Sequence, residues 1–247
     1  MSKTALVTGG ARRIGAAICK TLHAAGYDIV IHYRSSAGEA EALRDSLNQL
    51  RPHSANLVAG DLLDSARLPD LIAQAISRFG RLDALINNAS SFFPTPLGSI
   101  DDRSWDDLIG TNVKAPVFLA QAAADSLRVH AGCIVNIADI HAERPMRNHL
   151  VYNVGKAALV AATRSLAREL GPEVRVNAVA PGANIWPEDE SFIDEAARQR
   201  ILDHSILKRG GMPEDIAGAV RYLVTEARYV TGHILAVDGG RSIVMAD

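Results

Sequence analysis

Short runs of β-branched and other apolar residues alternate along this chain with longer stretches in which apolar positions recur every three or four residues. The short runs fit strands buried on both faces, and the longer ones fit helices with one apolar stripe. Strands are predicted over Thr4 to Thr8, Ile29 to Tyr33, Asn56 to Ala59, Ala84 to Asn87, Cys133 to Ala138, Val174 to Val179 and His233 to Val237. Helices are predicted over Ile14 to Ala25, Gly38 to Leu50, Leu68 to Phe79, Trp105 to Leu127, Tyr152 to Leu170 and Glu214 to Val224. Gly26 reads as a C-cap and Gly171-Pro172 as a helix stop. Such alternation implies right-handed βαβ units, and so a single α/β domain over residues 1–247 with a doubly wound parallel sheet and helices on both faces. The rhythm breaks only between Pro181 and Arg209, a stretch with Pro187, several acidic residues and a short predicted helix at Asp194 to Leu202. An excursion of this kind after a strand's C-terminal end is either a substrate-covering loop or a solvated insertion.

Composition narrows the class. Hydrophobic residues make up 48 % of the 247 positions and charged residues 22 %, ordinary values for a globular chain. A formal net charge of -2 offers no basic field to a nucleic acid. Cys19 and Cys133 are the only cysteines, so no disulfide framework is implied. The first residues run straight into a strand with no signal-peptide pattern, and no apolar run approaches the roughly 20 residues that span a bilayer. These points lead to an expectation of a cytoplasmic protein with neither a nucleic-acid nor a membrane partner.

The chemistry begins after the first strand, at Gly9-Gly10-Ala11-Arg12-Arg13-Ile14-Gly15. A glycine turn feeding a helix start lets main-chain N–H groups and the helix dipole face a pyrophosphate. A ribose 2′-hydroxyl is commonly held by an acidic residue at the end of the second strand. Here that segment is His32-Tyr33-Arg34-Ser35-Ser36, which offers donors to a 2′-phosphate and no carboxylate to repel it. NADP is therefore expected over NAD, unless Arg34 is only a solvated surface charge. Asp61-Leu62 and Asn88-Ala89-Ser90 fall where the third and fourth strands should meet the ligand crevice, although either could be an ordinary turn. Tyr152 and Lys156 lie four apart, hence on one face of a helix. A nearby cation lowers a phenol's pKa, and such a tyrosine can pass a proton to an atom reduced by hydride.

Taken together, these motifs make the whole chain resemble the short-chain dehydrogenase/reductases, a Rossmann-like fold of about seven strands. The resemblance rests on the glycine turn, Asn87-Asn88-Ala89, Asn112, Tyr152 with Lys156, Pro181-Gly182 and Asp238-Gly239-Gly240. It implies that Tyr152 is the acid/base, that Lys156 lowers its pKa and binds the nicotinamide ribose, and that Asn112 supports a proton relay. It also implies a homotetramer. Three departures narrow it further: Arg13 replaces the turn's middle glycine, Asp139 replaces the serine thirteen residues before the tyrosine, and Asn-Asn-Ala-Gly becomes Asn-Asn-Ala-Ser followed by Ser91-Phe92-Phe93. With His32-Tyr33 and Ser36, these are similar to the pteridine reductases. That subgroup implies NADPH and a pterin or folate substrate reduced at a ring C=N. A carboxylate at Asp139 can accept from the N–H donors of a pterin and favours the protonated phenol, opposing Lys156. Phe92 could stack on the flat ring, and Arg13 and Ser90 could bind its polar edge.

Each residue keeps a plainer alternative. Asp139 could cap a turn, Phe92 could be core, Asn112 a helix-kink residue, and Trp186 a loop anchor instead of a pocket wall. His141 and His149 flank the site without metal-ligand spacing and read as structural or solvated. Reduction of a carbonyl or 3-oxoacyl thioester is the alternative activity, and a non-catalytic dinucleotide sensor the alternative of another class.

Overall fold

The computed structural model describes residues 2–183, 199 and 202–244. The strands are β1 (Thr4–Val7), β2 (Asp28–Tyr33), β3 (Ala55–Ala59), β4 (Ala84–Asn87), β5 (Cys133–Ile137), β6 (Arg175–Pro181) and β7 (Ile234–Val237). Among the described residues these seven form one all-parallel sheet in the order β3-β2-β1-β4-β5-β6-β7. The helices are α1 (Arg13–Ala24), α2 (Ala37–Leu50), α3 (Leu68–Phe79), α4 (Asp102–Ile109), α5 (Ala115–Val129), α6 (Leu150–Leu170) and α7 (Pro213–Thr225).

The continuous apolar runs of the strands have a simple cause: both faces of the sheet are covered. Alternate residues point to opposite sides. Ala5, Val7, Ile29, Ile31, Ile86 and Val135 pack with Ile18 and Leu22 of α1, Leu43 of α2, and Ile216 and Val220 of α7. Leu6, Val30, Leu85 and Ile134 pack on the other side with Leu71 and Ile72 of α3 and with Leu119 and Ala123 of α5. Each such large side chain, fully buried, contributes about 1.5–3 kcal/mol. The strand order reverses between β1 and β4, and that switch point is where a doubly wound sheet leaves a crevice at its carboxyl end.

The one helix predicted over Trp105 to Leu127 differs in two ways. It starts earlier, at Asp102, because Asp101 forms a capping box with Ser104: the Ser104 N–H donates to Asp101 Oδ1 at 2.8 Å and the Ser104 hydroxyl reaches back. It is also broken, for Gly110–Lys114 forms a wider π-turn between α4 and α5. Pro181 closes β6 and does not open the loop. Trp186 and most of the helix expected at Asp194 to Leu202 lie outside the described residues. Among the described residues no helix is long and apolar enough to cross a membrane.

Candidate active site

A cavity of about 620 Å³ opens at the carboxyl end of the sheet. Its walls bring together Gly9, Arg13 and Ile14 after β1, His32 to Ser36 after β2, and Asp61 and Leu62 after β3. Asn88, Ala89, Ser90 and Phe92 follow β4, Asp139 follows β5, Tyr152 and Lys156 come from α6, and Pro181 and Gly182 from the end of β6. Of the residues singled out from the sequence, Asn112 stands behind this wall and Trp186 lies outside the described residues.

The glycine turn is built for close approach. Gly9 has φ +59°, and a Cβ on Gly15 would fall 2.2 Å from the Gly9 carbonyl oxygen, so neither position tolerates an ordinary side chain. Arg13, where the wider family has glycine, also lies at positive φ (51°), a conformation that a non-glycine residue holds at a cost of about 1 kcal/mol or more. No side chain caps the start of α1 and its first turn holds no acid. The leftover N–H groups and the positive dipole end therefore suit a pyrophosphate. Asn88 fastens the turn from the next strand, its Nδ2 donating to Thr8 O at 2.8 Å and Gly9 O at 3.1 Å.

His32 proves to be a brace. Gly9 N–H donates to its Nδ1 at 3.2 Å, and its Nε2 bonds Gly60 O at the same distance. The ring thus ties the turn to the end of β3, with the proton on Nε2. Burial pushes its pKa down to about 4, which keeps it neutral. Arg34 and Ser35 stand exposed on the rim beyond it. Arg12 is paired with Glu39 at 3.6 Å.

At the other end, the Tyr152 hydroxyl donates to Asp139 Oδ2 at 2.6 Å. The second carboxylate oxygen accepts the His141 main-chain N–H at 2.9 Å. Asp139 is therefore both turn cap and partner of the phenol. Lys156 Nζ lies 5.6 Å from the Tyr152 ring centroid and donates to Ile137 O at 2.9 Å. The expected competition over the phenol goes against Lys156. Burial first, then the Asp139 charge and hydrogen bond, hold the Tyr152 pKa well above its ordinary value. Lys156 is itself the perturbed cation: burial brings its pKa down to about 8, with Asp139 opposing. This arrangement keeps a neutral acid at the cavity wall.

Asn112 works through Ser90. It sits in the π-turn, where its Nδ2 donates to Leu108 O at 2.9 Å, the carbonyl that a regular α-helix would pair with Asn112's own N–H. Its Nδ2 also donates to Ser91 O at 2.9 Å, and its Oδ1 accepts the Ser90 hydroxyl at 2.6 Å. Every polar atom of the amide is used to hold the Ser90-Ser91 segment.

Phe92 is not core. It is 49 % exposed and meets the Tyr152 ring edge-on, at 4.8 Å and 81°. His141, read from the sequence as structural or solvated, lines the wall, and the half-buried Arg241 is a wall residue that went unread. Burial lowers the Arg241 pKa, while Asp139 and Asp238 oppose that shift. Arg241 arrives in a turn whose N–H groups at Gly240 and Ser242 donate to the Asp238 carboxylate, and Arg144 Nε bonds Ser242 O at 3.0 Å. The Asp238-Gly239-Gly240 motif was the available signal.

A nucleotide-sized crevice at the switch point, closed at one end by a Tyr-Lys pair, defines a dinucleotide-dependent oxidoreductase. The chain belongs to the short-chain dehydrogenase/reductase family, its residues 9–242 matching the family model described as enoyl-(acyl carrier protein) reductase. It is 36 % identical to pteridine reductase 1 of Leishmania tarentolae over 98 % of this chain and 97 % of that one. It is 34 % identical to a 3-oxoacyl-[acyl-carrier-protein] reductase of Staphylococcus aureus over 97 % and 98 %. The corresponding reductase of Staphylococcus epidermidis is 33 % identical over 97 % and 99 %.

Proposed function

We propose that the protein is an NADPH-dependent pteridine reductase that takes dihydropterins to the tetrahydro form, with oxidised pterins and dihydrofolate as further candidate substrates. The 2.6 Å bond between Tyr152 and Asp139 carries this reading. NADPH, when bound, supplies the hydride to a ring C=N carbon. The Tyr152–Asp139 pair holds the proton that goes to the adjacent ring nitrogen. The carboxylate also accepts from the N–H donors of the amino-pyrimidinone edge, which a ketone lacks. Phe92 provides the flat wall, and Arg13 and Ser90 the polar edge. Lys156, fixed on Ile137 O, is placed for the nicotinamide ribose. Arg34, Ser35 and Ser36 on the rim support the choice of NADPH, because they meet a 2′-phosphate with donors.

Similarity to 3-oxoacyl reductases supports a second reading, carbonyl reduction. Asp139 opposes it, since a carboxylate beside a developing alkoxide is repulsive. A non-catalytic dinucleotide sensor would have no need of the protonated Tyr152 or the anchored Asn112. Initial rates of NADPH absorbance loss with a dihydropterin and with an acetoacetyl thioester separate these readings. We expect turnover of the dihydropterin and a 10²- to 10⁴-fold loss of kcat in Tyr152→Phe, about what a general acid contributes. Retained activity with an unchanged pH profile in Tyr152→Phe would sink the assignment.

The same reading places the enzyme in the cytoplasm as a homotetramer with no nucleic-acid or membrane partner. Its two thiols are free and buried, and Phe118 of α5 with Leu150 and Val154 of α6 present exposed apolar surface suited to another copy.

A further inference from the structure

Phe92 has two faces, and one is already covered. The Phe92 and His149 rings stack with centroids 4.9 Å apart and planes 13° from parallel. Phe92 lines the cavity and His149 does not. The imidazole thus backs one face of a ring that lines the cavity, from a position outside that cavity.

His149 is itself held. Its Nδ1 donates to Arg147 O at 2.8 Å, and its main chain bridges Thr95. The Thr95 N–H donates to Asn148 O at 2.6 Å, and Thr95 Oγ1 accepts the Val151 N–H at 3.2 Å. His149 occupies the N-cap position of α6, yet its side chain makes no capping bond there. The ring is therefore not spent on the helix.

We propose that His149 is a positioning residue that sets Phe92 parallel to a planar heteroaromatic substrate, giving a stack of imidazole, phenyl and substrate ring. The proposal deepens the pteridine reading and rests on it for the flat substrate. An aromatic side chain that is 49 % exposed has rotamer freedom to lose on binding. A partner on one face removes that cost beforehand, and aromatic pairs of this geometry are worth about three- to ten-fold in affinity.

Two variants separate the ring from its tether. His149→Phe keeps the ring and loses the bond to Arg147 O, whereas His149→Asn keeps a donor and loses the ring. The probe is 2,4-diaminopteridine, titrated onto the NADPH complex of the full chain, alongside KM and kcat for a dihydropterin and the Kd of NADPH. We expect His149→Asn to raise the probe's Kd and the dihydropterin KM about three- to ten-fold, with kcat and NADPH binding unchanged. His149→Phe should match wild type. Unchanged values in His149→Asn, equal losses in both variants, or no probe binding by wild type would overturn the proposal. Wild type that binds the probe and turns over no dihydropterin would refute the pteridine reading while the probe still tests His149.

Discussion

Lys156 is an ammonium held in a place where the folded protein would prefer a neutral group, and replacing it should stabilise the fold while abolishing turnover. Burial lowers its pKa from the ordinary 10.5 to about 8. Each pKa unit is worth about 1.36 kcal/mol, so the charged folded form carries a penalty of about 3 kcal/mol relative to the unfolded chain. Below pH 8 both states hold the proton and the penalty is full. Between pH 8 and 10.5 the unfolded chain binds more protons than the folded one, so stability rises with pH across that window. Lys156→Met removes the charge and keeps the length of the stem. It also strips Ile137 O of its donor, a loss of about 1 kcal/mol. The net gain near pH 7 is then about 2 kcal/mol, or about 4–8 °C in Tm for a chain of this size. Urea and thermal melts of nucleotide-free protein at pH 7 and pH 10 test it. The advantage of the variant should be largest at pH 7 and shrink by pH 10. A variant less stable than wild type by the same amount at both pH values would refute the desolvation argument.

Three further outcomes are expected. Asp139→Ser removes the charge and hydrogen bond that hold the Tyr152 pKa up, so the basic limb of the kcat profile should move to lower pH, and dihydropterin kcat/KM should fall about ten- to hundred-fold; a limb that stays in place contradicts that coupling. Arg34→Asp puts a carboxylate at the rim, and KM for NADPH should rise about ten- to hundred-fold while that for NADH changes little. Gly15→Ala drives a Cβ to within 2.2 Å of a main-chain oxygen, so nucleotide binding by calorimetry should be lost together with some thermal stability, and an unaffected variant would show that the turn is not as tight as described.

Most of the fold was legible because strands buried on both faces read as unbroken apolar runs, and those runs kept their spacing from Thr4 to Val237. The site was legible where chemistry sits in short, ordered motifs: the glycine turn, Asp139, and Tyr152 with Lys156. Asp101 and Ser104 carried a capping signal that went unread, so the helix start was placed late. The π-turn leaves no mark in an apolar period. Arg241 reaches the site through tertiary approach; Arg144 and Ser242 meet across 98 positions, and nothing local announces such a contact. The balance between Lys156 and Asp139 over the phenol depends on burial, which a four-residue spacing does not encode.

The π-turn at Gly110–Lys114 has a consequence for how the chain can change length. It is a helix carrying one surplus residue, and Asn112 is in place to hold Ser90 because of that surplus. Deleting one residue there would let the segment relax into regular α-helix with α4 and α5 keeping their present facing, and the wide turn that seats Asn112 against Ser90 would be lost. Substitutions on the outside of this stretch should be absorbed with little effect, whereas a single-codon deletion should disconnect the site from its support while leaving both flanking helices intact.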